Sequence, residues 1–184
     1  MRIITGSARG RRLETLAGED TRPTAERVKE GLFSVLQFEI EGRRVLDLFA
    51  GSGQLGIEAL SRGAAGCVFV DKNPAAVEVI RRNLQNTGLA RNAQVLCLDA
   101  GAYLSRRGEP ADIAFLDPPY QAGLLLPALD QVSAHMNPGG VIVCETDDPQ
   151  SLPEQAGTFD LARTYRYGKI YVGLYRLGER QAQL

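Results

Sequence analysis

One stretch of the sequence predicts the fold, and it reads Val45-Leu46-Asp47-Leu48-Phe49-Ala50-Gly51-Ser52-Gly53-Gln54-Leu55-Gly56. Apolar residues lead into Asp47, a glycine-rich turn follows, and a helical pattern of apolar residues continues to Gly63. This order predicts a strand, a tight loop and a helix. Gly51 and Gly53 have no Cβ, so the backbone there can adopt a positive φ and approach a ligand closely. The unpaired N–H groups at the start of the helix would face that ligand.

Two classes of ligand are compatible with this loop. Its three glycines satisfy the pattern G-x-G-x-x-G, and Asp71 closes the next predicted strand, as in dinucleotide-binding folds. Asp47, however, places a negative charge where a pyrophosphate would be repelled, and hydride transfer has no evident use for Asp117-Pro118-Pro119-Tyr120. A carboxylate before the loop instead favours a cationic ligand, such as S-adenosylmethionine with its sulfonium and ammonium groups.

The composition is that of a globular protein. A chain of 184 residues suits one domain, and its 44% hydrophobic and 23% charged residues are ordinary values. No apolar stretch approaches membrane-spanning length and no signal-peptide layout is present, so we expect a cytoplasmic protein. Cys67, Cys97 and Cys144 are far apart, which predicts buried thiols in a reducing compartment. His135 is predicted to lie on a helix surface.

Positive charge is concentrated at the two ends of the chain. The net charge is −1, yet residues 1–12 contain no acidic residue and four basic ones, namely Arg2, Arg9, Arg11 and Arg12. From Leu161 onward five basic residues accompany the single acid Glu179. Basic ends on a mildly acidic body indicate a localised phosphate-binding face, and the alternative is a solvated surface of uneven charge.

Strand and helix patterns alternate along the chain. A short hairpin is predicted within Met1–Leu16, and a helix follows with Val28, Leu32, Val35 and Leu36 on one face. Strands are predicted at Arg44–Leu48, Gly66–Val70, Ala93–Leu98, Ile113–Leu116 and Val141–Cys144, and a closing hairpin at Thr158–Arg166 and Lys169–Arg176. Further helices are predicted between the caps Asn73 and Gly88, near Gly101–Arg106 and at Leu124–Met136, with a turn at Asn137–Gly140. Repeated strand–helix units predict an α/β fold with a parallel sheet covered on both faces.

Four aspartates close four successive predicted strands: Asp47, Asp71, Asp99 and Asp117. The carboxyl ends of parallel strands share one edge of the sheet, where ligands bind in open α/β folds. Asp71 follows the glycine loop at a distance that suits acceptance of hydrogen bonds from a ribose diol. Asp99 and Ala100 would then lie beside the adenine. A single aspartate in such a position is more often a helix cap or turn residue.

Several of these segments resemble known motifs. Leu46–Gly56, Asp71 and Asp117-Pro118-Pro119-Tyr120 resemble motifs of the class I S-adenosylmethionine-dependent methyltransferases, and the aspartate form of the last motif belongs to enzymes that act on exocyclic amino groups. Four further segments resemble the bacterial 16S ribosomal RNA guanine-N2 methyltransferases of the RsmD family: Arg9–Leu13, Arg22-Pro23-Thr24, Leu46–Gly53 and Glu58–Ala64. The similarity covers residues 1–177. Gln54 replaces a residue that is usually small in the family, and Asp71 replaces a common glutamate.

The resemblance implies a Rossmann-like methyltransferase fold, with a mostly parallel seven-stranded sheet, an antiparallel C-terminal strand and a short basic N-terminal hairpin. Residues 1–20 would form an RNA-binding extension and residues 21–184 the methyltransferase domain. The implied activity is methylation of the exocyclic N2 amine of a guanine in 16S ribosomal RNA, with S-adenosylmethionine as cofactor and no metal. The small ribosomal subunit or its assembly intermediate would be the partner of a monomeric, cytoplasmic enzyme.

The resemblance also implies roles for individual residues. The expected cofactor-binding residues are Asp47, Phe49, Gly51, Gly53, Asp71, Asp99, Ala100 and Asp117. Asp117 and the carbonyl group of Pro118 would accept the N–H groups of the target amine, and Tyr120 would stack on the target base. The expected RNA-binding residues are Arg9, Arg11, Arg12 and Arg22.

Other functions remain open at this point. A nicotinamide-dependent dehydrogenase would explain the glycine loop and Asp71, but not Asp47. An adenine-N6 DNA methyltransferase, or another enzyme that methylates an exocyclic amine of a nucleic acid, would share every core motif. Protein glutamine methyltransferases normally have asparagine in place of Asp117. A non-catalytic RNA-binding factor would explain only the basic ends of the chain.

Overall fold

The computed structural model describes residues 1–16, 23–106, 108–120 and 122–178. Its α-helices are α1 (Pro23–Val35), α2 (Gln54–Ser61), α3 (Pro74–Thr87), α4 (Ala100–Leu104) and α5 (Leu125–Val132). Its strands are β1 (Arg44–Leu48), β2 (Gly66–Asp71), β3 (Ala93–Cys97), β4 (Ala111–Leu116), β5 (Met136–Thr146), β6 (Gln155–Ala156), β7 (Phe159–Tyr167) and β8 (Ile170–Leu177). Short 3₁₀ turns lie at Ala90–Asn92, Ser133–His135 and Pro149–Ser151.

The strands form a single sheet in the order β3-β2-β1-β4-β5-β8-β7-β6. The first five strands of this order pair in parallel, and the pairings β5–β8, β8–β7 and β7–β6 are antiparallel. The predicted α/β class and the closing hairpin are therefore confirmed. The two-residue strand β6 adds an eighth strand to the seven that were expected. The strand order reverses between β1 and β4, which is where open α/β sheets form a ligand crevice.

Both faces of the parallel strands are buried, because alternate residues contribute to two hydrophobic cores. In β1, Val45 belongs to the core beneath α1, α2 and α3, and Leu46 belongs to the core beneath α4 and α5. The same alternation continues through β4 and β5: Ile113, Phe115, Val141 and Val143 face the first core, and Ala114, Leu116, Ile142 and Cys144 face the second. The helices therefore cover the sheet on both sides and leave its edge at the strand ends accessible.

Local capping signals position α3 after β2. The Asn73 side chain accepts a hydrogen bond from the Ala75 N–H at 3.0 Å, and Pro74 occupies the first turn. At the other end Gly88 adopts a left-handed conformation with φ 78°, which glycine tolerates without a Cβ clash. Both caps were predicted from the sequence, and they set where α3 begins and ends.

The region around the start of β5 differs from the prediction. The segment Asn137–Gly140 was expected to form a turn, but it lies inside β5. Ala111 of β4 pairs with Met136 of β5, and Ile113 pairs with Val141. Between these two pairs β5 contains more residues than β4, and the extra residues form a bulge. A Cβ at Gly140 would lie only 3.0 Å from the Asp112 carbonyl oxygen, which explains the glycine in this close approach.

Two further predictions on single residues are wrong. His135 was assigned to a helix surface, but it is half-buried and its Nε2 lies 2.7 Å from the Leu104 carbonyl oxygen. Cys97 was expected to be buried with Cys67 and Cys144, yet its side chain is exposed. The reason is that β3 is an edge strand, so one side of Cys97 has no neighbouring strand.

The N-terminal segment, residues 1–16, forms a small antiparallel hairpin. Arg2 and Arg12 form an isolated bridge, and the Leu13 N–H donates to the Met1 carbonyl at 2.9 Å. Two of its apolar side chains, Ile3 and Leu13, are buried in the core beneath α1, α2 and α3. The segment is therefore packed on the domain and shares its hydrophobic core.

Candidate active site and cofactor cavity

A cavity of about 640 Å³ lies at the carboxyl ends of β1, β2 and β4. It is bordered by the glycine loop between β1 and α2, by Asp71 at the end of β2 and by the segment Asp117–Tyr120 after β4. Asp99 and Ala100 line the same cavity. The structure thus brings together all four strand-end aspartates that the sequence singled out, and the volume is in the range of small-molecule sites.

The glycine loop has a backbone shape that few other residues could adopt. Gly51 and Gly53 have φ values of 54° and 78°, and a Cβ at Gly53 would lie 3.1 Å from Ile80 Cγ1. Phe49 is, among the described residues, the one non-glycine residue with a positive φ, at 64°. Such a conformation costs about 1–3 kcal/mol and persists only where the surroundings impose it. The surrounding residues therefore impose this backbone conformation on the loop.

Asp47 is a buried carboxylate with one backbone partner. Its side chain is 2% exposed, and Oδ2 accepts a hydrogen bond from the Gly56 N–H at 2.8 Å. Burial raises the pKa of Asp47 to about 7; the Gly56 hydrogen bond lowers the pKa and the neighbouring Asp71 raises it further. Within the described part of the chain, no cationic side chain forms an ion pair with Asp47. A positively charged ligand in the cavity would offset this unfavourable burial.

Asp71 holds the loop in place with both of its oxygens. Oδ2 accepts a hydrogen bond from the Gly51 N–H at 2.8 Å, and Oδ1 accepts one from the Asn73 N–H at 2.8 Å. Each carboxylate oxygen can accept more than one hydrogen bond, so the group retains capacity for ligand hydroxyls. Asp71 therefore connects the position of the glycine loop to the site where a ribose would lie.

Asp99 has the ordinary role of a helix cap. Its Oδ1 accepts hydrogen bonds from the Gly101 N–H at 2.9 Å and the Ala102 N–H at 3.4 Å, and so starts α4. The carboxylate is exposed at the cavity wall, next to the buried Ala100. This placement leaves the expected contact with an adenine as a prediction.

The segment Asp117–Tyr120 follows β4 directly and forms the wall opposite the end of β2. The Tyr120 side chain is 38% exposed, and its hydroxyl donates a hydrogen bond to Glu145 Oε1 at 2.6 Å. Burial raises the pKa of Tyr120, and the nearby carboxylates of Glu145 and Asp117 raise it further. The phenol therefore remains protonated and is oriented by Glu145.

A buried charge cluster fastens the N-terminal segment to α2. Glu58 is fully buried and accepts hydrogen bonds from the Ile4 N–H at 2.8 Å and the Thr5 N–H at 3.1 Å. The ammonium group of Lys29 lies 3.8 Å from Glu58, and Arg62 donates to Glu58 at 2.8 Å. Burial lowers the pKa of Lys29. Since Glu58 belongs to the helix that starts at the glycine loop, the segment is anchored close to the cavity.

Asn83 provides a second link between the N-terminal segment and the cavity. Its amide group donates to the carbonyl oxygens of Glu14 and Ser52, each at 3.0 Å, and accepts from the Glu14 N–H at 2.8 Å. Thr15 and Leu16, which follow, line the cavity itself. A side chain that is fully buried in α3 thus connects the glycine loop to the basic segment.

Three of the four predicted RNA-binding arginines lie on the N-terminal segment. Arg9, Arg11 and Arg12 are exposed, and Arg11 donates a hydrogen bond to the Asn86 carbonyl oxygen on α3. Arg22 lies outside the described residues. Exposed guanidinium groups on an anchored segment are suited to phosphate contacts, and their role stays a prediction.

Three residues near the cavity, Glu145, Asn83 and Gln54, were not among the site residues predicted from the sequence. Glu145 could have been found, since it follows the apolar run Val141–Cys144 as the other acids follow their strands. No local signal marked Asn83, whose partners are distant in sequence. The Oε1 atom of Gln54 is a buried acceptor without a hydrogen-bond partner among the described residues.

These residues fit S-adenosylmethionine. Gln54 lines the cavity at the start of α2, so its unpaired oxygen can accept a hydrogen bond from a ligand ammonium group. Asp47 adds negative charge toward a cation, and Asp71 offers acceptors for hydroxyl groups. Within the described ranges, no cluster of three or more His, Cys, Asp or Glu side chains could hold a metal ion. Nor does this part of the chain contain a helix whose length and apolar character would let it span a membrane.

The fold and this cavity define a class I S-adenosylmethionine-dependent methyltransferase. The family model described as conserved hypothetical protein 95 matches residues 1–176, and the chain belongs to this family. Together with a full-length relative named ribosomal RNA small subunit methyltransferase D, this match confirms the resemblance to the RsmD family.

Individual relatives cover nearly the whole chain. The YlbH protein of Bacillus subtilis (strain 168) is 41% identical over 181 residues, which are 96% of this chain and 98% of that protein. Ribosomal RNA small subunit methyltransferase D of Escherichia coli (strain K12) is 37% identical over 185 residues, which cover 100% of this chain and 91% of that protein. The solved structure of YhhF from Escherichia coli superposes with a TM-score of 0.86 at 36% identity and covers 96% of this chain and 97% of that one.

Proposed function

We propose that this chain transfers a methyl group from S-adenosylmethionine to the exocyclic N2 amine of a guanine in 16S ribosomal RNA. The observation that carries the proposal is the position of Asp117-Pro118-Pro119-Tyr120, which borders the same cavity as the glycine loop. The name of the Escherichia coli relative, a small-subunit ribosomal RNA methyltransferase, supports the RNA class. The partner is the small subunit or its assembly intermediate, and the enzyme acts as a monomer in the cytoplasm.

The chemistry requires that the nucleophile is oriented. The cofactor supplies a methyl group that the positive sulfur already activates, whereas the lone pair of an exocyclic amine is conjugated into the base. Asp117 accepts one N–H of that amine and the Pro118 carbonyl accepts the other, which directs the lone pair out of the ring plane. A carboxylate at this position also stabilises the positive charge that develops on nitrogen.

The rigidity of the segment supports this role. Pro118 and Pro119 both fix the backbone φ, so the two acceptors keep one relative orientation. The ring of Tyr120 is partly exposed beside them and can stack on a base that has left its helix. These features explain how the segment can position a weak nucleophile.

The test is methyl transfer from labelled cofactor to separated small-subunit RNA, large-subunit RNA, transfer RNA and DNA, followed by mass spectrometry of the nucleosides. We expect N2-methylguanosine from small-subunit RNA. Asp117→Ala should lower the rate by about 10²–10³, as expected for the loss of one preorganised polar group. The affinity for S-adenosylhomocysteine should stay within a few-fold.

Asp130→Ala is the matched control, because Asp130 is an exposed aspartate on α5 and does not line the cavity. It should leave both rate and affinity unchanged. Formation of N6-methyladenine in DNA would contradict the proposed substrate. If none of the four nucleic acids is methylated, the proposed activity is wrong.

A further inference from the structure

A second cavity adjoins the first at the segment Asp117–Tyr120. Its volume is about 310 Å³, and it lies between this segment, the start of α5 and the end of β5. Pro118, Pro119, Tyr120 and Leu124 line both cavities. A group bound in the second cavity would therefore contact the segment that carries the acceptors for the target amine.

Besides Tyr120, the polar side chains that line this second cavity are three carboxylates, namely Glu145, Asp147 and Asp148, and the hydroxyl groups of Thr146 and Ser151. Glu145 and Asp147 lie on the wall formed by the end of β5. Glu145 Oε1 accepts the hydrogen bond from Tyr120, and a carboxylate with two oxygens can accept further hydrogen bonds. No lysine, arginine or histidine is found among the described residues that line the cavity. The wall is thus suited to hydrogen-bond donors and unsuited to a phosphate.

Three carboxylates act on the hydroxyl group of Tyr120. Glu145, Asp117 and Asp147 each raise the pKa of the Tyr120 hydroxyl, in addition to the larger effect of burial. Burial also raises the pKa of Glu145, while its hydrogen bond with Tyr120 lowers it. A neutral partner that donates hydrogen bonds would relieve this arrangement without adding charge.

Bases that carry an exocyclic amine differ in the atom beside it. Guanine presents the N1–H and the N2 amine as adjacent donors, whereas adenine and cytosine place a ring nitrogen acceptor beside the amine. An ionised carboxylate accepts hydrogen bonds and donates none. Carboxylates arranged along one wall therefore pair with the guanine edge and face a lone pair on the other two bases.

We propose that the second cavity binds the target guanine and that Glu145 determines its specificity by accepting a hydrogen bond from N1–H. This inference rests on the proposed function, in which Asp117 accepts from the N2 amine of the same base. The hydrogen bond between Tyr120 and Glu145 holds the stacking ring and the accepting carboxylate together before the base arrives. Selection of guanine then follows because both adjacent groups on its edge, N1–H and the N2 amine, are donors.

The test uses a synthetic RNA that carries the mapped target site with either guanine or 2-aminopurine. The analogue keeps the N2 amine and replaces N1–H by an acceptor. For the wild-type protein we expect kcat/KM to fall roughly ten- to a hundred-fold with 2-aminopurine, as for the removal of a hydrogen bond to a charged group. Glu145→Gln should lower kcat/KM for guanine and raise it for 2-aminopurine, because the amide NH₂ can donate to N1.

Two variants separate this role from a structural one. Tyr120→Phe removes the hydrogen bond to Glu145 but leaves the carboxylate, so the preference for guanine over 2-aminopurine should persist. Glu154→Gln changes an exposed glutamate outside the cavity, and kcat/KM should stay the same for both RNAs. Affinity for S-adenosylhomocysteine, measured by calorimetry, should be the same in all four proteins.

The failure of the inference differs from the failure of the proposed function. If Glu145→Gln lowers kcat/KM for the guanine RNA and for the 2-aminopurine RNA by the same factor, Glu145 does not determine specificity and the inference is wrong. The inference is also wrong if Tyr120→Phe has the same effect as Glu145→Gln, because Glu145 would then act only through Tyr120. If the wild-type protein yields no N2-methylguanosine, the proposed function itself is wrong. The yield of N2-methylguanosine is measured on the wild-type protein alone, so it tests the proposed function independently of the variants.

Discussion

The buried carboxylate of Asp47 leads to a quantitative prediction for Asp47→Asn. Asparagine has nearly the same shape and can still accept the Gly56 hydrogen bond, but it carries no charge. The pKa of Asp47 is raised from an ordinary value of 3.8 to about 7 by burial. Between these pH values the folded protein holds a proton that the unfolded chain has released, so stability falls as the pH rises toward 7 and then stays level.

The expected magnitude follows from the pKa difference. About three pH units correspond to about 4 kcal/mol, as an order of magnitude. The free energy of unfolding of Asp47→Asn, relative to the wild type, should therefore increase by about 3–4 kcal/mol between pH 4 and pH 7. Urea denaturation without cofactor at a series of pH values measures it, with Asp130→Asn as the exposed control. Parallel pH profiles for Asp47→Asn and the wild type would refute the reasoning.

The same group should couple cofactor binding to protons. A ligand cation beside Asp47 lowers its pKa, so binding at pH 6 releases a proton and becomes tighter as the pH rises to 7. Calorimetry with S-adenosylmethionine in buffers of different ionisation enthalpy detects that proton. The pH dependence should disappear in Asp47→Asn, and an unchanged dependence in the variant would contradict a role for this carboxylate.

Two further predictions concern the cofactor and the RNA. Asp71→Ala removes a carboxylate that holds Gly51 and faces the cavity. Its binding free energy for S-adenosylhomocysteine, measured by calorimetric titration, should therefore weaken by about 1.5–3 kcal/mol. Equal affinities of variant and wild type, or tighter binding of NAD than of the cofactor, would contradict the assignment of Asp71 to the cofactor site. Replacement of Arg9, Arg11 and Arg12 by alanine should weaken RNA binding and reduce its salt slope by about 0.7–0.9 for each phosphate that these arginines neutralise. An unaltered slope would redirect attention to Arg163, Arg166 and Lys169.

Elements that depend on neighbours in sequence were predicted well. The bounds of β1, the caps of α3 and the positive φ of the loop glycines all agree with the sequence patterns. Each of these features is set within a few residues, by side-chain alternation, by a capping oxygen or by the absence of a Cβ. The same holds for the strand-end aspartates, because parallel pairing brings successive strand ends to one edge.

Predictions failed where packing overrode a local pattern. The proline and glycines of Asn137–Gly140 indicated a turn, yet β4 and the Asp112 backbone hold this segment in a bulged strand. His135 has an ordinary helical sequence around it, and only the position of Leu104 shows that its ring is partly enclosed. In both cases the deciding neighbour is distant in sequence, so the local pattern could not reveal it.

The sequence alone established the strand, glycine loop and helix, and the family to which they belong, because such patterns reflect backbone geometry over short distances. Only the tertiary structure showed that the Asn83 side chain binds both Ser52 and Glu14, of which Glu14 is 69 positions from Asn83 in the sequence. Likewise, only the structure showed the hydrogen bond between Tyr120 and Glu145, which are 25 positions apart. A hydrogen bond of that kind forms when two helices or strands pack with particular offsets. Those offsets depend on the whole core, and no local pattern encodes them.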